Sequence, residues 1–368
     1  MILLPLSLYI HYPWCVKKCP YCDFNSHEQK ADNDVLYMQA VLADLKNQLQ
    51  AGWVQGREIQ TIFIGGGTPS LCSIEAMEIL FSGLKKTLTF AKDIEISLEA
   101  NPGASDTEKF SELRALGVNR LSIGVQSFND RHLKNLGRIH SSQHAINTVK
   151  QAQSAGFNNI NIDLMFGFER QTVDECLNDV RQAIDLNPAH LSFYQLTIEP
   201  NTFFAKHPPK LSQETNWAMQ DKAHQSLEQA GFTQYEVSAF STRPAKHNLN
   251  YWQFGDYLGI GAGAHGKITI GNKIIRTMQS KSPKDFIENN QQTITPVTQL
   301  GFEFMLNALR LKVGFTPELL TQRTGLTLKD IQKPLQKSVD LGLLEQKGNI
   351  RATEKGFDFL NDLQQMFL

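Results

Sequence analysis

SLYIHYPWCVKKCPYCDFNSH, residues 7–27, runs from a strand into a loop that carries three cysteines. Ser7 to His11 reads as the first strand, and Cys15-x3-Cys19-x2-Cys22 follows directly. Three thiolates on one short loop can hold three corners of an iron–sulfur cube, whereas most such clusters take four cysteines. A missing fourth ligand leaves one iron open to a small molecule. The spacing also admits a zinc site completed by His11 or His27, or three unconnected thiols. Zinc sites more often join one Cys-x2-Cys pair to a distant second pair, which this chain lacks. Cys72 and Cys176 stand apart in the sequence. An odd, clustered count of five cysteines points to reduced thiols and metal binding rather than to a disulfide framework.

Beyond the loop, strand-like and helix-like stretches alternate to about residue 240. The strand candidates after the first are 61–65, 95–100, 120–126, 159–167, 190–197 and 234–240. Apolar residues recur at helical spacing between them, as in SIEAMEILFSGLKKTL. In LGVNRLSIG, AGFNNINID and AGFTQYEVS, a glycine (Gly117, Gly156, Gly231) stands where a helix ends in a left-handed cap before a strand. The expected class is α/β, a parallel sheet with crossover helices, either open and doubly wound or closed into a full or partial barrel. From about residue 268 the pattern changes. KITIGNKIIRT reads as a hairpin with its turn at Gly271-Asn272, helices follow, and LGLLEQKGNIRATEKGFDFLNDL fits the strand, turn, strand, helix outline of a winged helix. We therefore expect a core over 1–266 and a smaller domain over 267–368.

Composition narrows the function classes. The chain has 368 residues, 41% hydrophobic and 20% charged, with 36 Lys and Arg against 37 Asp and Glu. A formal charge of -1 supplies no general field for nucleic acid or anionic membrane. Residues 315–368 carry seven basic and seven acidic side chains, so the winged-helix outline suits structure or partner docking rather than DNA. No run approaches the roughly 18 apolar residues of a membrane span, and MILLPLSLYI lacks the basic start and small-residue cleavage site of a signal peptide. The expected location is the cytoplasm.

The three-cysteine loop, with Tyr21 just before its last cysteine, resembles the radical S-adenosylmethionine (SAM) enzymes. GGGTP (65–69), EANP (99–102), GVQSF (124–128), GRIH (137–140) and NIDLMFG (161–167) extend the resemblance along the chain to the HemN-like family, which includes oxygen-independent coproporphyrinogen dehydrogenases and heme chaperones. That resemblance implies an incomplete (β/α) radical SAM barrel, a [4Fe-4S] cluster on Cys15, Cys19 and Cys22, and SAM on its open iron. It carries Tyr9, Gly66 and Glu99 over as contacts to that SAM. Tyr21, Gly67, Thr68, Gln126, Arg138, Asp163 and Thr197 match the surroundings of a second SAM in the dehydrogenases. Taken on its chemistry, a glycine triplet at a strand end lets backbone N–H groups approach a ligand closely. Glu99, Gln126 and Asp163 lie at C-terminal strand ends, where parallel α/β folds bind ligands. A carboxylate there suits ribose hydroxyls or a sulfonium, although each residue alone could be a cap or a surface charge.

Three departures separate the chain from the dehydrogenases. Phe24 stands where they carry a fourth cysteine, only 14 residues precede Cys15 where they have a long extension, and HNLNYW (247–252) matches the HNxxYW motif of the heme chaperones. The resemblance then implies a heme chaperone delivering heme to apo-hemoproteins, respiratory and membrane-associated ones among them. A homodimer fits the same resemblance. Cluster and SAM would be structural, regulatory or redox partners. His247 would be the axial ligand, Asn248 its orienting partner, and Tyr251 and Trp252 walls for the macrocycle. His265 is a rival ligand, and a capped turn feeding buried aromatics into the core is the bland reading of HNLNYW. The alternative activity is oxidative decarboxylation of coproporphyrinogen III by a 5′-deoxyadenosyl radical. Gly261-Ala-Gly-Ala-His-Gly266 matches G-x-G-x-x-G but runs into a strand, with no acidic residue before Asp285, so it reads as a permissive loop and not a dinucleotide site.

Overall fold

The computed structural model describes residues 4–28, 33–103 and 106–368. Met1 to Leu3, at the head of the apolar opening, lie outside the described residues. Strand β1 (Leu6–Tyr12) shows how the sequence builds a two-sided sheet. Leu6, Leu8, Ile10 and Tyr12 are fully buried in the main apolar core, while Ser7, Tyr9 and His11 face the other side. The same alternation runs through β2 (Ile59–Gly66), β3 (Phe90–Ala100), β4 (Arg120–Gln126), β5 (Ile160–Phe166) and β6 (His190–Gln195). These pair in chain order, all parallel. Their crossovers are helices, among them α1 (Asp34–Gln50), α2 (Ile74–Thr87), α3 (Thr107–Leu116), α4 (Ser142–Ser154) and α5 (Val173–Asp185). Each helix lays apolar residues on the outer face of the sheet, as Leu80, Phe81 and Leu84 of α2 do.

Local chemistry sets the boundaries. Ser73 caps α2 by accepting from the Ala76 amide, and Thr172 and Glu175 form a reciprocal capping box on α5. The three predicted glycine caps are present: Gly117, Gly156 and Gly231 all take positive φ, and the residue after each donates back to the carbonyl five positions earlier.

Two features differ from the sequence reading. Residues 234–240 are not one parallel strand. They split into β7 (Thr233–Glu236) and β8 (Ala239–Ser241), an antiparallel pair that closes one edge of the sheet, because the chain turns at Val237-Ser238. On the other side, β9 (Asp256–Ile260) was not anticipated, yet it pairs parallel with β1 along its length. Antiparallel strands β10 (His265–Ile270), β11 (Lys273–Met278) and β12 (Thr293–Pro296) extend the sheet from β9. The Gly271-Asn272 hairpin is thus where it was expected. The sheet has twelve strands and stays open, ending in β12 on one side and β7 on the other. It curls enough that Glu99 of β3 and Asp163 of β5 repel one another across the interior.

After β12 the chain forms a smaller, largely helical region. It includes α8 (Leu300–Ala308), α9 (Pro317–Thr324), α10 (Gln332–Asp340), the hairpin β13 (Leu344–Lys347) and β14 (Asn349–Ala352), and α11 (Leu360–Gln365). Its core of Phe304, Phe315, Leu320 and Leu363 continues into the sheet region through Phe254 and Ile274.

Candidate functional site

The inner faces of β1 to β6 end at one mouth, and the cysteine loop lies over it. That loop is pinned from several directions. Lys18 Nζ donates to the carbonyls of Phe24 and Ser26, the Cys22 amide closes a turn onto Cys19, and Asn25 Nδ2 donates to the carbonyls of Ala262 and Lys281. Cys15, Cys19 and Cys22 are free thiols lining a cavity of about 410 Å3. Among the described residues, no three His, Cys, Asp or Glu side chains converge closely enough to hold a single metal ion. The three cysteines share the wall of one cavity. Thr68 Oγ1 donates to Cys15 Sγ at 3.4 Å, and Arg138 approaches Cys19 Sγ at 3.7 Å. Burial raises the thiols of Cys15 and Cys22.

Most residues predicted for the site meet here. Tyr21, Gly66, Gly67, Thr68, Glu99, Gln126, Arg138 and Asp163 all line this cavity. The glycine triplet acts differently from the expectation. Two of its amides are engaged internally, Gly66 N with Glu99 Oε2 at 2.9 Å and Gly67 N with the Tyr12 carbonyl, and the next amide, Thr68 N, donates to the Trp14 carbonyl. The missing side chains are what matter: a Cβ on Gly66, at φ +110, would come within 2.4 Å of the His11 ring, and one on Gly67 within 2.5 Å of the Trp14 carbonyl. Gln126 is a non-glycine residue at φ +70, a strained conformation that turns its amide inward to accept from Tyr194. Arg138 is fixed by the Asn101 side chain and the Gly124 carbonyl, both at 2.7 Å. Burial and repulsion from Asp163 push Glu99 up to about 7, against the Gly66 amide, which lowers it. Asp163 is likewise raised by burial, although Ser192, Asn161 and Ser122 bond to it. Two buried acids at one mouth suit a ligand that brings positive charge.

Other predicted residues go elsewhere. Tyr9 lies in a second, adjoining cavity of about 870 Å3, which shares Cys22, Phe24, Gly66 and Glu99 with the first. Thr197 is exposed beyond the end of β6, bonded to Glu199. HNLNYW forms the short helix α7 (Lys246–Trp252) and divides by helical spacing. His247 is buried in the sheet interior, its Nδ1 2.7 Å from Thr61 Oγ1 and its Nε2 without a partner. Burial lowers its pKa to about 3, so it is neutral. Tyr251, on the same side, stacks on Tyr257 in the second cavity. Asn248 and Trp252 face away, to the Tyr235 hydroxyl and the Arg310 guanidinium. Tyr194 and Asn101 were not singled out from sequence, although Asn101 lies inside the EANP stretch. His265 is exposed on the second cavity, and the G-x-G-x-x-G stretch is a turn in which side chains at Gly261 and Gly263 would strike the His11 carbonyl and Asn25.

Comparison with known proteins agrees with this architecture. The chain matches the Radical SAM superfamily over residues 9–183 and the HemN C-terminal domain over residues 296–359. It is 47% identical to the heme chaperone HemW of Escherichia coli, covering 100% of this chain and 99% of that one. It is 33% identical to the heme chaperone HemW of Bacillus subtilis, covering 95% and 93%. The mouse mitochondrial radical S-adenosyl methionine domain-containing protein 1 is 36% identical, covering 97% and 86%. Coproporphyrinogen III oxidase (HemN) from E. coli superposes with a TM-score of 0.82 over 99% of this chain and 90% of that one, at 23% identity, which establishes the shared fold. With full-length identity at this level, a three-thiol mouth at the strand ends and both signature regions in place, the chain belongs to the HemW family of the radical SAM superfamily.

Proposed function

We propose that this protein is a cytoplasmic heme chaperone that binds heme and passes it to apo-hemoproteins, including respiratory, membrane-associated ones. The observation that carries the reading is full-length similarity, at 33–47% identity, to relatives named heme chaperones. Family membership implies a [4Fe-4S] cluster and SAM. Cys15, Cys19 and Cys22 would hold the cluster, and Glu99, Gln126, Arg138 and Asp163 would surround SAM in the smaller cavity. When bound, that pair can supply one-electron chemistry at the open iron. In this reading the chain's own residues orient and shield it: Thr68 and Arg138 brace the sulfurs, and Glu99 offers a carboxylate to a positively charged ligand. Among the described residues no helix is long and apolar enough to cross a membrane.

The side chain of Phe24 separates this reading from coproporphyrinogen oxidation. It stands 60% exposed at the boundary of the two cavities, where the dehydrogenases carry a thiol, so no fourth sulfur is available there. The test is an anaerobic heme titration of the cluster-reconstituted protein followed by Soret absorbance. Saturation near one heme per chain is expected. An absence of saturable binding together with turnover of coproporphyrinogen would replace the chaperone reading with the enzymatic one.

A further inference from the structure

The cavity of about 870 Å3 beside the cysteine loop is lined by Cys22 but by neither Cys15 nor Cys19, and it falls within the roughly 300–1,000 Å3 range of small-molecule sites. One wall is aromatic: Tyr251 and Tyr257 stack at 4.2 Å between centroids, and Tyr9 lies near them. Three histidines line it, and one is committed through both ring nitrogens. His11 has Nδ1 on the Tyr9 hydroxyl and Nε2 on the Asn25 carbonyl, both at 2.9 Å. His27 has its Nε2 buried, with no hydrogen-bond partner among the described residues. His265, at the start of β10, is exposed, and no hydrogen bond engages its ring among the described residues. Lys281, on the same rim, has no ion pair among the described residues.

We propose that this cavity is the porphyrin seat, with His265 the axial ligand to the heme iron, the tyrosines a flat wall for the macrocycle and Lys281 a contact for a propionate. The inference rests on the heme-binding reading above and departs from HNLNYW as the source of the ligand. Only Tyr251 of that motif lines the cavity, while His247 is buried and is not among its lining residues. The phenols are poor rivals because burial raises Tyr9, Tyr251 and Tyr257 and keeps them protonated. Through the shared wall of Cys22, Phe24 and Glu99, a porphyrin held here would lie beside the cluster site.

The experiment compares His265→Ala and His247→Ala with wild type in anaerobic heme titrations of the cluster-reconstituted chain. His265→Ala is expected to weaken heme binding on the order of tenfold or more and to shift the Soret band, with added imidazole restoring both. Its position on an exposed strand start makes misfolding a minor concern, and intact iron–sulfur absorbance checks for it. His247→Ala is expected to keep the wild-type Soret band. Unchanged affinity and spectrum in His265→Ala, or loss confined to His247→Ala, would overturn the assignment. Absence of saturable binding by wild type would instead sink the heme-chaperone reading itself.

Discussion

Glu99 shows what one buried carboxyl does to the fold around it. Its pKa of about 7 lies above the ordinary 4.5 because burial, and then Asp163, penalise the charged form. Between those values the unfolded chain ionises while the folded one stays protonated, so stability falls as pH rises from about 4.5 to 7 and levels off above. Glu99→Gln keeps an acceptor for the Gly66 amide and removes the titration. We expect the variant without cluster or SAM to gain about 1–3 kcal/mol at pH 8 and to show a flatter slope in urea midpoints across that window. A parallel displacement of the two pH curves would refute it. Asp163 titrates in the same sense, so some slope persists. Residues of this kind were legible from sequence where they belong to a local motif, as the cysteines, the glycine triplet and Glu99 do. Tyr194 was not, because its role comes from meeting Gln126 across a curled sheet, a relation between β4 and β6 that no short window contains. The direction of the glycine amides was hidden for a similar reason: the Gly66 acceptor is the Glu99 carboxylate and the Gly67 acceptor the Tyr12 carbonyl, both distant in sequence.

Among the elements, β9 and its ion cluster matter most. Asp256 is fully buried between Arg57 at 2.7 Å and Lys267 at 2.9 Å, and Thr269 donates to it through both backbone and side chain. Burial alone would raise this carboxyl, but Lys267 and Arg57 outweigh it and hold it below its usual range. The cluster ties the loop before β2 to β9 and β10. Asp256→Ala should therefore cost about 3–5 kcal/mol, because two buried cations lose their counter-ion. Urea unfolding would show it, and a change below about 1 kcal/mol would mean the cations find other partners. The crossover strands were readable because each is bounded by caps and glycines. β9 is only five residues long and sits between HNLNYW and the glycine-rich turn, two stretches whose motifs dominated the reading. The split at 237–238 escaped for a complementary reason, since QYEVSAF has strand composition throughout and the turn comes from edge pairing with β6.

For the molecule as a whole, the helical end is part of the sheet's stability and not an ornament on it. Phe254 and Ile274 bury themselves against Phe304 and Phe315, and Trp252 lies beneath Arg310 at 4.3 Å. Each large apolar side chain uncovered forfeits about 1.5–3 kcal/mol. A chain ending at Pro296 should aggregate rather than elute as a discrete species in size-exclusion chromatography, and a soluble fragment able to rebuild the cluster would contradict this. The change of pattern near residue 268 marks the passage from parallel to antiparallel pairing, which the sequence announced through its Gly-Asn hairpin. The parallel partner on the far side of β1 is β9, about 250 residues downstream. At 5–20 residues per second, the first strand leaves the ribosome roughly 12–50 s before the neighbour that covers its second edge. Throughout that interval the cysteine loop, whose anchors Ala262 and Lys281 arrive later still, hangs unfastened. Iron loading during synthesis would thus meet a mobile ligand set, and the finished turn at Gly261 to Gly263 would close upon a cargo already delivered.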